Sequence, residues 1–287
     1  MRSLCIFTLL LSGLFYSCAE QEVQVQEQVP SITEPGVVSY SFRHQFEKDV
    51  PGTLDMIKEM GLTNIEFSSL FGKTSSELRE LLDERGLICT SYGVGYNDIV
   101  NNIEQVAEDA NILGAKYVRV ASIPHESPFS IEDAKQAVAD FNGAGEALKE
   151  KGLTFNYHNH GYEFIPYEDG TYFDYIVQNT DPEYVNFEID VFWVAHPGAD
   201  PVALLEKYPD RFNLVHLKDL KEGIEHNYSG RATSEYEAPL GEGQIDFPAL
   251  VKAAQSSNIE YYYIEYESPD VVERMPGNID YIKSLTN

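Results

Sequence analysis

Leu153-Thr-Phe-Asn-Tyr-His158-Asn-His160-Gly-Tyr-Glu163-Phe164 is an apolar run that ends in chemically capable side chains. The run through Tyr157 reads as a buried strand. A strand sends alternate side chains to opposite faces, so His158 and His160 are expected to share a face with Asn156. Two imidazoles leaving one strand end together, with the Glu163 carboxylate three residues on, can ligate a metal or move a proton near neutral pH. A lone histidine is more often a hydrogen-bonded core or surface residue. A pair on one strand face beside a carboxylate outweighs that reading.

Outward from this stretch the chain alternates short apolar runs with longer amphipathic ones. Strands are expected at 37–42, 64–69, 88–94, 117–122, 153–157, 185–194, 212–218 and 261–266. Helices are expected at 53–60, 75–85, 99–113, 131–151, 171–178, 201–208 and 278–285, with Gly61, Gly86, Gly114 and Gly152 as stop signals. One more helix follows a long polar insertion, opened by Asp246 as N-cap with Pro248 in its first turn. Eight strand–helix pairs within one domain length predict an α/β fold, a single (β/α)8 TIM barrel over 37–287, with an open doubly wound sheet as the alternative.

Residues 1–18 have a charged start, a signal-length apolar region and the ending Leu14-Phe-Tyr-Ser-Cys18, which resembles a bacterial lipobox, although Phe15 and Tyr16 are bulkier than its usual residues. The apolar run is too short to span a bilayer. The resemblance implies cleavage before Cys18 and acylation of its thiol, so the expected location is the cell envelope, membrane-anchored through Cys18. An ordinary secretory signal or uncleaved anchor is the alternative. Residues 19–36 are polar, Gln/Glu-rich and then Pro-punctuated, which suits a flexible tether.

The formal net charge of -27 over 287 residues argues against nucleic acid, whose binding depends on Lys and Arg neutralising phosphates. Three cysteines in a chain of this length make no disulfide framework: Cys5 lies in the leader, Cys18 at its end and Cys89 inside an expected strand.

Active sites of such barrels sit at the C-terminal ends of the strands. Those ends offer Glu66; His158, His160 and Glu163; Glu188 and Asp190; His216, Lys218 and Asp219; Glu265 and Glu267. Desolvating one carboxylate costs several kcal/mol, and convergence on one cation removes that penalty. Mixed oxygen and nitrogen donors without thiolate suit Mn, Zn, Fe or Co as the divalent ion and do not choose among them. Each residue alone has an ordinary alternative: Asp190 as a helix cap, Lys218-Asp219 as a solvated pair, Glu265 in an internal ion pair. Tyr92 and Trp193 are candidates for stacking on a sugar ring, though barrel aromatics are as often core, and Glu66 and His125 for further substrate contacts. Few cations at the strand ends disfavour a phosphorylated substrate.

Tyr157–Phe164, Phe187-Glu-Ile-Asp-Val-Phe-Trp193, Arg211-Phe-Asn-Leu-Val-His-Leu-Lys-Asp219, Pro239-Leu-Gly-Glu-Gly-Gln-Ile-Asp246 and Tyr262-Tyr-Ile-Glu-Tyr266 together resemble the xylose-isomerase-like sugar isomerase/epimerase barrels. The resemblance implies a divalent metal held by His158, Asp190, His216 and Glu265. Many members have Glu at the first of these, so His158 is a departure. It also implies proton abstraction next to a carbonyl of an unphosphorylated keto-sugar. Glu265 would be ligand and base, His160 or Glu163 the second acid/base group, and Lys218 a further catalytic group. Isomerisation or epimerisation is the first expectation. A lyase or hydratase performing β-elimination on 3-keto-glycosides and a non-catalytic sugar-binding lipoprotein are the alternatives. A repair endonuclease would need a basic groove, which the charge excludes.

Overall fold

The computed structural model describes Ile32 and residues 34–285. Cys18, the expected leader and most of the expected tether lie outside the described residues, among which no helix is long and apolar enough to cross a membrane. The barrel takes in the end of the tether, since Ile32 is buried in the main core and the first strand starts at Gly36.

Eight parallel strands form a closed ring: β1 (Gly36–Val38), β2 (Asn64–Phe67), β3 (Ile88–Val94), β4 (Tyr117–Val120), β5 (Thr154–His158), β6 (Val185–Asp190), β7 (Phe212–Leu217) and β8 (Tyr261–Ile264). Ring order follows chain order, and β8 closes on β1 through Gly36↔Tyr263 and Val37↔Ile264. Helices wrap the outside with apolar stripes spaced three and four residues apart. In Ser75–Arg85 these are Leu78 and Leu82, both wholly buried, each worth about 1.5–3 kcal/mol of transfer from water. Thr74 with Glu77, Ser130 with Asp133 and Thr171 with Asp174 form capping boxes. Asp246 caps its helix as expected, accepting from Ala249 N at 2.9 Å.

The departures from expectation have local causes. Residues 191–194 are not strand: Asp190 Oδ1 accepts the Trp193 N–H at 3.0 Å and turns the chain into the helix Val191–Ala195. Residues 39–42 form a 3-10 turn instead of extending β1. Two helices, Tyr96–Asn101 and Ile103–Leu113, replace one, broken at Asn102. The last helix starts early, at Val271, and runs through Pro276 because Val271, Met275, Ile279 and Ile282 bury one continuous stripe that outweighs the proline.

Below the strand ends the barrel is plugged by Val38, Tyr117, Leu214 and Tyr263, with Tyr263 OH and Thr90 Oγ1 2.6 Å apart. Asp219, which the sequence alone also allowed in a solvated pair with Lys218, anchors the polar insertion after β7. Buried Asp219 accepts N–H groups from Leu220, Gly241, Gly243 and Ile245 at 2.9–3.2 Å, and Asp219–Leu220 pairs antiparallel with Glu237–Ala238. This ties the loop across the mouth of the barrel.

Candidate active site

Strand register builds the site in layers. Opposite Glu188 stands His158, and opposite Asp190 stands His216. His158 Nδ1 lies 3.0 Å from Glu188 Oε2, which leaves its Nε2 facing Asp190 Oδ2 at 3.7 Å. His216 Nε2 lies 2.8 Å from Glu66 Oε1 and 3.2 Å from Glu188 Oε2, while its Nδ1 faces Glu265 Oε2 at 3.0 Å and Asp190 Oδ2 at 3.7 Å. Outer carboxylates thus hold one nitrogen of each imidazole and turn the other inward, that of His158 toward Asp190 and that of His216 toward Asp190 and Glu265, an arrangement that fixes ring orientation in metal sites.

The donors fit a divalent cation. Ligand atoms of His158, Asp190 and His216 lie within 4.8 Å of one another. Asp190 Oδ1 is spent on the helix cap, whereas its Oδ2 is buried without a hydrogen-bond partner. A buried, unpartnered carboxylate oxygen between two imidazoles is costly unless a cation compensates it. Glu265 adjoins the trio through His216.

Burial and neighbouring charge set the ionisation. Burial pushes Asp190 up, and Glu188, buried beside Glu66, rises to about 8. Burial drives His158 well below its ordinary range and His160 down to about 4. His216 goes the other way: burial alone would lower it, but Glu188, Glu66 and Glu265 hold it well above its usual value. Against the burial that would raise it, Lys218 and His216 keep Glu265 ionised.

A cavity of about 720 Å³ opens above this cluster, its wall including Arg119, His158, His160, Trp193, His216 and Glu265. His160 lies in the turn beyond β5, its ring 5.0 Å from those of His158 and Trp193. Its backbone N–H donates to Glu163 at 3.0 Å.

Several expected contacts are not made. Glu163 does not line the cavity: its carboxylate accepts from Tyr157 OH and the His160 N–H, so it braces the turn from beneath. Glu66 lies below the cavity, fully buried and bonded to Ser91 Oγ at 2.6 Å, Arg119 and His216, which leaves it out of substrate reach. Tyr92 points into the main core, because its neighbour Gly93 is the residue that faces the barrel interior. His125 packs at a tilt against Tyr162 at 4.3 Å and edge-on against Phe129 at 5.2 Å, with Nδ1 2.8 Å from Ile123 O. Lys218 is clamped by Glu237 at 3.0 Å and by Glu267, and stands 3.9 Å from Glu265. It serves as a fixed charge behind the site.

Three contributors went unassigned at the sequence level. Arg119 pairs with Glu66 at 2.9 Å and Glu188 at 3.3 Å. Burial would lower its guanidinium, but Glu66, Glu188 and Glu265 more than offset that. A single charge inside Tyr117-Val-Arg-Val120 was the available signal. Asn159 bonds the Asp190 backbone, and Glu237 balances Lys218.

Closed barrel, strand-end histidines and converging carboxylates make a candidate metal-binding site at the C-terminal ends of the strands. Residues 54–285 match the xylose isomerase-like TIM barrel family, and the chain belongs to it. Among its relatives, an inosose dehydratase of Geobacillus kaustophilus (strain HTA426) is 25% identical over 263 residues, covering 78% of this chain and 85% of the relative. A sugar phosphate isomerase/epimerase from Parabacteroides distasonis ATCC 8503 superposes with a TM-score of 0.71 at 24% identity, covering 86% of this chain and 96% of that one. The IOLI protein with a binding zinc atom superposes with a TM-score of 0.69 at 16% identity, covering 88% and 96%.

Proposed function

We propose that this protein is a metal-dependent lyase that dehydrates a keto-cyclitol or keto-sugar by removing the proton next to the carbonyl and expelling the β-hydroxyl. The observation that carries the reading is His160 itself, an imidazole in the cavity wall beside the His158–Asp190–His216 donors, its ring 5.0 Å from that of His158. Those three residues, with Glu265 adjoining, would hold the ion. Bound there, it would polarise the substrate's carbonyl oxygen and stabilise the negative charge that develops on it.

His160 takes the α-proton, the electron pair of the C–H bond forms the C=C bond, and the C–O bond to the β-hydroxyl breaks. The same imidazolium then returns its proton to the departing hydroxide, so one water leaves and His160 is regenerated. Trp193 holds the ring of His160 in place from one face, 5.0 Å centroid to centroid. An epimerase needs a second proton-transfer group on the opposite face of the substrate. Glu163, a candidate for that role in the sequence, is turned away into the Tyr157 hydroxyl. That geometry favours elimination over epimerisation, and the inosose dehydratase relatives support the same choice.

Product analysis tests the proposal. Mn²⁺-loaded protein incubated with inosose and, separately, with a 3-keto-glucoside should yield a product lighter by one water from at least one of them. A product of unchanged mass and altered configuration would contradict the lyase reading and favour the isomerase.

The location is proposed with it: Cys18 carries a lipid that anchors the barrel in the cell envelope. Cys18→Ser should move the protein from the membrane fraction to the soluble one, and unchanged partitioning would contradict the anchor.

A further inference from the structure

Two donor sets meet at His216. One is His158, Asp190 and His216; the other is Glu66, Glu188 and His216, and within each the ligand atoms lie within 4.8 Å of one another. By donor chemistry both suit a divalent cation. They differ in what already lies against them. Arg119 Nη2 is 2.9 Å from Glu66 Oε1 and Arg119 Nε is 3.3 Å from Glu188 Oε2, so a fixed positive charge spans both carboxylates of the second set. The ion-pair partners of Asp190, among the described residues, are the two imidazoles.

The neighbouring strand is shaped around that guanidinium. Arg119 on β4 stands in register with Gly93 on β3. A Cβ on Gly93 would lie 2.7 Å from Arg119 Nη2 and 3.0 Å from its Cζ, so a side chain there would push the guanidinium off the carboxylates.

We propose that Arg119 is a built-in cation that closes the Glu66–Glu188–His216 set to metal, so that the barrel holds a single divalent ion at His158–Asp190–His216. A dication on Glu66 and Glu188 would have to displace the guanidinium. Arginine does not shed its proton in proteins, so the displaced group would be left as a buried charge without its partners. The arrangement also keeps Glu66 and Glu188 available as acceptors for the ring N–H groups of His216 and His158, which present their other nitrogens to the ion. The inference rests on the metal centre proposed above and goes beyond it, to the number of ions and the residue that sets it.

The test is metal stoichiometry. Wild type, Arg119→Met and Arg119→Lys are stripped with chelator, reloaded with Mn²⁺, freed of excess by gel filtration and analysed for manganese per chain. The expected result is one ion in wild type and in Arg119→Lys, and two in Arg119→Met, with an electron paramagnetic resonance spectrum showing two coupled Mn²⁺ ions. Folded Arg119→Met holding one ion overturns the inference alone, as does wild type holding two. Wild type holding none contradicts the metal centre itself, and the inference with it. Where Arg119→Met does not fold without metal, it is refolded with and without Mn²⁺. Recovery with two ions per chain supports the inference, because the second ion then replaces the missing charge. No recovery at any Mn²⁺ concentration overturns it.

Discussion

Asn159 and Asp190 are locked together by two reciprocal hydrogen bonds: Asn159 Nδ2 donates to the Asp190 carbonyl at 3.2 Å, and the Asp190 N–H donates to Asn159 Oδ1 at 3.0 Å. Both residues are wholly buried. The latch joins the ends of β5 and β6, which carry His158 and the Asp190 carboxylate, and so fixes the spacing of two of the three central donors. The middle residue of His158-Asn159-His160 thereby sets the site without entering it.

Asn159→Ala removes both bonds and leaves a buried N–H and carbonyl unpaired, at a cost of about 1–3 kcal/mol in stability. Because the lost partner orients a donor, metal affinity should fall about 10–100-fold, the usual range for residues that support ligands. Competition against a calibrated chelator measures it. Unchanged affinity would show that Asp190 is positioned by its helix cap alone.

Glu163 gives a prediction in pH. Burial pushes its carboxyl from 4.5 up to about 7 in the folded protein. A raised folded value favours the protonated form, so the contribution is fully present below the unfolded value near 4.5. It is lost as pH climbs to about 7 and then stays lost. Glu163→Gln keeps the acceptor for the His160 N–H and cannot ionise, so relative to wild type it should gain stability across that window, up to roughly 3 kcal/mol. Denaturant unfolding of both proteins at a series of pH values reads it directly. A constant difference between them would show that Glu163 does not titrate there.

Gly230 seats the loop that follows β7. Its φ is +61°, and a Cβ would lie 2.4 Å from Tyr162 Cδ1, on a ring whose hydroxyl is pinned by the Ile123 N–H at 2.8 Å. Gly230→Ala should lift Gly230, Arg231 and Ala232 from the cavity wall and raise KM about tenfold, equivalent to about 1.4 kcal/mol, with a smaller effect on kcat. Steady-state kinetics check the split. A fall confined to kcat would mean that the loop acts on the chemical step.

How much of this was legible in the sequence follows from what period and register can each reveal. The barrel was legible because its strands and helices differ in period, and the strand ends could be listed as soon as the strands were placed. His158, Asp190, His216 and Glu265 come together as that list anticipated. Inward or outward facing depends on register across several strands, which is why the sequence did not show Tyr92 turning to the core; His125 lies in the loop after β4, where its ring contacts Phe129 and Tyr162. Glu163 and Glu66 carry the right chemistry, and only three-dimensional contacts show that one braces a turn and the other sits beneath the site. Arg119 was visible as a charge in an apolar strand. Its meaning came from Gly93 alongside and from two carboxylates brought in from β2 and β6.

The measurement closest to the central claim is proton exchange at the carbon next to the carbonyl. Mn²⁺ broadens resonances, so Zn²⁺-loaded protein is mixed with inosose in D₂O and followed by NMR, beside chelator-stripped protein and His160→Asn carrying the same metal. The account predicts that the α-proton signal disappears with the metal-loaded wild type and persists with the stripped protein. In His160→Asn the loss should slow by about 10²–10⁴-fold at unchanged metal content. An α-proton lost as fast with His160→Asn as with wild type, or retained throughout by folded, metal-loaded wild type on both inosose and a 3-keto-glucoside, would contradict it.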